Sequence, residues 1–168
     1  MRYFLPLLLV CGLLSYSLYP IEKIPSGKLV TKIVVRKSVR KMEVYAHDTI
    51  LATYTIALGG NPVGHKQFEG DKKTPEGVYY INDKTTKSRY HKNLGVSYPN
   101  TLDKATAERL GRSPGGDIKI HGLQNGLGFI GRFQHLADWT AGCIAITNAE
   151  LDDLFDHTPV GTVIEIKP

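Results

Sequence analysis

Three β-rich runs follow one another between Thr31 and Leu58: TKIVV, KMEVYA and TILATYTIAL. Valine, isoleucine, threonine and tyrosine dominate them. In KMEVYA apolar and polar positions alternate, which is the period of a half-buried strand. The breaks at Val39-Arg40 and His47-Asp48 are short and carry basic or Asp-containing turns, so the three strands are expected to run as a meander. A folded region that begins this way is committed to a mainly β architecture.

The rest of the chain extends that pattern. Gly59–Lys66 (GGNPVGHK) and Glu69–Gly77 (EGDKKTPEG) carry Gly, Asn, Asp and Pro where loops need them. VYYIND reads as a strand, and SRYHKNLGVSYPN as a loop with a short strand around Leu94–Ser97. Asp103 is the expected N-cap of a helix over KATAERL, with Gly111 as its stop. IKIHG alternates and ends a strand at His121, and CIAI is a short apolar strand. Thr147 and Glu150 then have capping-box spacing, ahead of an apolar helical face at Leu151, Leu154 and Phe155. PVGTVIEI supplies a turn and the closing strand. No repeat or second domain interrupts this, and 168 residues suit one domain with a real core. The expectation is a mainly β domain with two short helices over residues 31–168.

Ahead of it lies a different kind of sequence. After Met1 and Arg2, residues 3–19 (YFLPLLLVCGLLSYSLY) carry no charge, and Ser15-Tyr16-Ser17 is a small-x-small triplet. Residues 1–19 therefore read as an export signal peptide or an uncleaved N-terminal membrane anchor, and the Pro, Gly and charge of residues 20–30 as a linker. Val10 before Cys11 argues against lipidation, which needs a small residue there. The expected location is the periplasm or cell envelope. A net charge of +5 favours anionic partners, but the basic residues are dispersed without aromatic interleaving, so nucleic acid is not expected.

Export changes the meaning of Cys143. With the leader removed it has no cysteine partner, so it is either a buried structural thiol or one retained for chemistry. A reactive thiol needs a base, and His121, twenty-two residues earlier at a strand end and followed by Gly122, is the best placed of the six histidines. Gly142 allows an unusual backbone beside the thiol and main-chain N–H groups aimed at an oxyanion. Thr140 can bond either the loop or a substrate. Arg132 and Arg112 can clamp a carboxylate. Asp152 and Asp153 read as a solvated helix face. GGNPVG lacks the Lys-Ser/Thr of a phosphate loop. There is no HExxH or paired CxxC, so no metal and no cofactor is expected.

IHG at Ile120–Gly122 followed by TAGC at Thr140–Cys143 resembles the signature of the YkuD-type L,D-transpeptidase catalytic domain. GDKKTPEG resembles the family's G-x-x-x-TP-x-G loop and GTVIEI its closing strand, so the likeness runs from about Thr31 to Ile166. The Lys-Ser and Tyr-Pro-Asn segments resemble the exported murein transpeptidase subgroup. The resemblance implies a β-sandwich-like catalytic domain with Cys143 as nucleophile, His121 as base, the Gly122 carbonyl as orienter of the imidazole, and main-chain N–H groups around Gly142 and Cys143 as oxyanion hole. Thr140, Tyr98, Trp139 and Arg132 are the substrate-binding candidates. The implied substrates are peptidoglycan stem peptides, with an amine-bearing peptide or protein as acceptor. Hydrolysis by an L,D-carboxypeptidase or amidase, and a non-catalytic wall-binding domain, remain the alternatives. The chain departs from the family at Ala141, where many members have histidine, and at Ala145, where many have arginine. Its segment from Leu123 to Asp138 is also longer than usual, and both departures touch the expected substrate side.

Overall fold

A computed structural model describes residues 20–168; the leader at 1–19, with Cys11 and the Ser15–Ser17 triplet, lies outside the described residues. Eight strands form the frame: β1 (Lys32–Arg36), β2 (Lys41–Ala46), β3 (Thr49–Thr55), β4 (Gly77–Thr85), β5 (Asn93–Val96), β6 (Lys119–His121), β7 (Ile144–Ala145) and β8 (Val163–Lys167). Their order across the sheet is β3-β2-β1-β8-β4-β5-β6-β7. The expected meander is present, with β1 antiparallel to β2 and β2 to β3. The closing strand inserts parallel to β1, and β6 and β7 form the other parallel pair.

The sheet curls until its two ends meet. Past β3, Ala57 exchanges N–H···O bonds of 2.9 and 2.8 Å with Ala145, the end of β7. Beyond it Thr140 N–H bonds Leu58 O and Gly60 N–H bonds Thr140 O, both at 3.0 Å. Alternation decides what fills the interior. Met42 and Val44 on β2, Ile164 and Ile166 on β8, Ile120 on β6 and Ile144 on β7 are all fully or nearly fully buried. Each such side chain contributes about 1.5–3 kcal/mol by leaving water. The sheet's first and last strands are thus held by one core as well as by backbone bonds.

Two helices pack on this frame. The first, α1 (Thr101–Arg109), starts earlier than expected. Asn100, not Asp103, is its N-cap: the Asn100 side chain accepts from the N–H groups of Leu102 and Asp103, and the Asp103 carboxylate accepts from Asn100 N–H at 2.8 Å. Asp103 is the third residue of a capping box, a position in which a carboxylate also suits the helix dipole. Gly111, at φ 63, ends the helix as expected. The second, α2 (Asn148–His157), has the expected Thr147/Glu150 box and buries Leu151 and Leu154. Asp153 does not lie on a solvated face, because it accepts from Ile24 N–H and the Tyr54 hydroxyl.

Residues 20–30 lie against the domain: Ile24 and Val30 are buried, and Val30 N–H bonds His157 O. The segment from Leu123 to Asp138 contains a 3-10 element, Gly128–Leu136, broken at Gly131 where φ is 52. Phe129, Ile130, Phe133 and Leu136 do have helical spacing, but Gly126, Gly128 and Gly131 punctuate it, which is why the sequence reads as a loop there.

Candidate active site

The parallel pairing of β6 and β7 sets Ile120 opposite Ile144 and His121 opposite Ala145. Run back one residue, this register sets Lys119 beside Cys143. Because Ile120 and Ile144 point into the core, Lys119, His121 and Cys143 share the other face, as strand alternation requires. Ideal strand spacings put the Cα atoms of His121 and Cys143 roughly 8 Å apart on the diagonal. Both side chains line one cavity of about 570 Å³.

The imidazole is held on several sides. His121 Nδ1 lies 2.7 Å from the Gly122 carbonyl oxygen, so the nitrogen that donates is fixed and Nε2 is left as the acceptor. The Tyr90 ring packs at 4.8 Å and the Trp139 ring meets the imidazole edge-on at 5.6 Å. Burial holds the His121 imidazole below its ordinary value of 6.5, the Gly122 bond opposes this, and the charge of Lys119 adds to the lowering. The group is therefore neutral, the form a base needs.

Burial likewise pushes the Cys143 thiol up, with the Lys119 main-chain bond and charge pulling it part of the way back. The thiol donates to Asp117 O at 3.4 Å. Burial thus favours the uncharged form of both members, thiol and neutral imidazole. Asp117 holds its carbonyl there from a left-handed conformation, φ 56.

Gly142, at φ 133, explains the residue type before the thiol. A Cβ there would sit 2.6 Å from the carbonyl oxygen of Lys73, in the TPEG loop, and 3.3 Å from Ile118. That loop packs equally closely on Gly59, whose N–H bonds Thr74 Oγ1 at 3.3 Å. Buried Lys37 ties the loop down through the carbonyls of Gly64 and Thr74 and the Glu76 carboxylate. The Gly-rich and Thr-Pro segments are thus the buttress of the turn that carries Cys143.

Thr140 belongs to the same turn: its hydroxyl accepts from Gly142 N–H at 3.1 Å and donates to Cys143 O at 2.7 Å. Gly142 N–H is therefore already engaged, which leaves Cys143 N–H as the turn's donor for an oxyanion. Thr140 and Trp139 line the cavity with the pair. Tyr98 does not: it is buried, edge-on to Tyr79, with its hydroxyl on Pro114 O at 2.9 Å. Arg132 lies on the 3-10 segment outside the cavity and donates to Pro20 O at 2.9 Å. Arg112 stacks on the Phe68 ring at 4.3 Å.

Of the two departures from the family pattern, Ala141 lines the cavity, whereas Ala145 is fully buried at the seam with Ala57. Sequence reasoning passed over Lys87, Arg89, Tyr90 and Asn93, which line the cavity, and over Lys119. The alternation in KIH was signal enough for Lys119; the others come from a loop whose return to the site no local pattern shows. Lys87, Arg89 and Lys119 make the rim cationic against Asp117 alone. Among the described residues, no three His, Cys, Asp or Glu side chains cluster to hold a metal.

The family model of the YkuD L,D-transpeptidase catalytic domain matches residues 31–166. The Escherichia coli K12 protein YafK, named as a candidate L,D-transpeptidase, is 28% identical over 162 residues, covering 90% of this chain and 58% of YafK. The helical cell shape determining protein Pgp2 of Campylobacter jejuni superposes with a TM-score of 0.63 at 26% identity, over 92% of this chain and 53% of that one. An L,D-transpeptidase from Mycobacterium smegmatis, 14% identical over 82% of this chain and 58% of its own, shares the fold with a TM-score of 0.53. The chain thus spans just over half the length of these relatives.

Proposed function

The chain belongs to the YkuD L,D-transpeptidase catalytic domain family, and on that footing we propose that it works on peptidoglycan stem peptides through a Cys143 acyl-enzyme. The observation that carries this reading is the shared face of β6 and β7, with His121 Nδ1 engaged by Gly122 O and Nε2 left to accept a proton.

In the proposed cycle the thiol turns from Asp117 O toward His121. Its proton passes to Nε2 as the sulfur bonds the carbonyl carbon of the stem's third residue, and Cys143 N–H stabilises the oxyanion. Collapse breaks the amide, and the departing D-alanine amine takes the proton from His121. The thioester left behind is resolved by an acceptor amine, which gives its proton to Nε2 and forms a new amide while the sulfur leaves. The cationic rim of Lys87, Arg89 and Lys119 suits the stem's carboxylates. No step calls for a metal or cofactor. Family members act on the wall, so the envelope is the proposed location. The name of Pgp2 suggests a part in setting cell shape.

One observation keeps hydrolysis in view: Ala141 offers only a methyl group to the cavity, which leaves room for water at the thioester. Mass spectrometry of the protein after exposure to a stem tetrapeptide tests both readings. A mass gain on Cys143 equal to the acyl group, absent in Cys143→Ala, is the expected result. Full turnover by Cys143→Ala would overturn it. Adding an acceptor amine then separates transfer, which makes a new peptide bond, from hydrolysis, which does not.

A further inference from the structure

The 3-10 segment Gly128–Leu136 plays no part in the chemistry above, yet it shows more apolar surface than its surroundings. Phe129 is 82% exposed and Leu136 77%, flanked by the partly exposed Leu127 and Trp139. Behind them lies an apolar groove of about 270 Å³, lined by Leu123, Leu127, Ile130, Phe133, Leu136 and Trp139 among others. From Leu123 to Ala137 there is no acidic residue, so no carboxylate has to be desolvated when the face is covered. Exposed apolar side chains gathered on one segment mark a contact surface.

What covers it follows from where the chain enters. The uncharged apolar run of residues 3–19 leads directly to Pro20, and the Pro20 carbonyl is held by Arg132 in the middle of this segment. Retained as an anchor, the run would bring the bilayer it enters against the same face. We infer that Gly128–Leu136 seats the domain on a lipid bilayer, with Phe129 and Leu136 entering the interface and Arg132 at the headgroups. A second copy is the weaker fit. Four side chains fall short of the ~800 Å² per partner that a standard protein interface buries, whereas a bilayer needs no matching shape. Trp139 lines both the groove and the catalytic cavity, so this seating holds the cavity mouth beside the lipid surface. The substrates in reach are then stems lying close to a membrane.

Trp139 is the chain's only tryptophan, which makes it the reporter. The full chain is bound to vesicles of phosphatidylcholine with a minority of phosphatidylglycerol, in which part of the acyl chains is brominated. Quenching of Trp139 is expected to be several-fold greater than in Phe129→Ser/Leu136→Ser bound to the same vesicles. The single variant Phe129→Asn, milder at so exposed a site, should fall between them. Circular dichroism and turnover of a soluble tetrapeptide, unchanged in the variants, show that they are folded. Equal quenching in all three proteins would overturn the inference. So would absent quenching together with cross-linking of two copies through this segment. The readout is independent of whether Cys143 transfers or hydrolyses.

Discussion

Gly142 has main chain pressed against it from the TPEG loop, with a missing Cβ as the condition for the fit. Thirteen residues earlier, Phe129 has four-fifths of its surface in solvent. These two positions bracket the site. The turn around Cys143 is set by backbone: strand register, the Thr140 hydroxyl, and loop carbonyls where no side chain can go. The cover from Leu123 to Asp138 is set by side chains on a short broken helix, held by Gln134 reaching Trp139 at 3.0 Å and Ala145 O at 3.3 Å. The first region holds the candidate pair, and the second reaches the cavity only through the bond from Trp139 to Gln134. Substitutions in the turn should therefore destroy activity and stability together, and those in the cover should divide them.

Gly142→Ala attacks the first region directly. A left-handed position and a carbonyl contact combine to cost about 2–4 kcal/mol, read by urea unfolding, with acylation lost in the same protein. An alanine variant of ordinary stability would break the contrast. His121→Gln keeps the fold and should lower acylation about 10²–10⁴-fold. In the parent protein, burial keeps the imidazole neutral to lower pH than a free histidine. The acid limb of the pH–rate profile should then fall at a midpoint below 6.5 and vanish in the variant. A limb above 6.5 would mean that His121 gains its proton more readily than its burial allows.

Gln134→Ala tests the cover. Trp139 loses its partner while Ala145 O keeps its bond to Ala57 N–H, so stability should drop by about 1–2 kcal/mol. KM for a stem peptide should rise a few-fold with kcat nearly unchanged. Equal losses in both constants would place Gln134 with the turn.

The smallest effect is expected at His135. Burial, with Arg132 and Lys41 nearby, lowers its pKa to about 4, and its Nε2 has no partner among the described residues. The unfolded chain binds this proton near 6.5 and the folded one only near 4, so the contribution to stability is full above pH 6.5 and falls as pH drops between them. His135→Leu should remove that slope and add up to about 1 kcal/mol at neutral pH. An unchanged slope would show that another group sets it.

The same division governs what the sequence discloses. Strands alternate, and KMEVYA or IKIH can be placed by inspection; Thr147 and Glu150 announce α2. Chemistry makes His121 the best-placed base for Cys143, but it is the resemblance of His-Gly and Gly-Cys to the family signature that pairs them. Asp103 is the expected cap of α1, but it is the third residue of a box whose cap is Asn100. The 3-10 segment has an apolar period at Phe129, Phe133 and Leu136, but its glycines hide it among the loop signals. Tyr98 and Arg132 have residue types that suit binding, but one sits under α1 and the other faces the incoming chain. Lys87, Arg89 and Tyr90 reach the cavity only because Tyr90 O and Arg89 O accept from Gly122 and Asn125 N–H, contacts made by the fold as a whole.

The seam between Ala57 and Ala145 has a consequence for the order of events in the life of the molecule. It joins the far end of the opening meander to the strand that carries the cysteine, so the cleft is assembled from segments distant along the chain. Contacts of such long sequence separation come late and at high entropic cost. A nascent or partly unravelled chain carries the cysteine without the tuned histidine beside it, and its thiol stays as dull as any other. On the proposed mechanism reactivity is thereby reserved for the finished molecule, and acylation of Cys143 would double as a measure of how much of the population has finished folding.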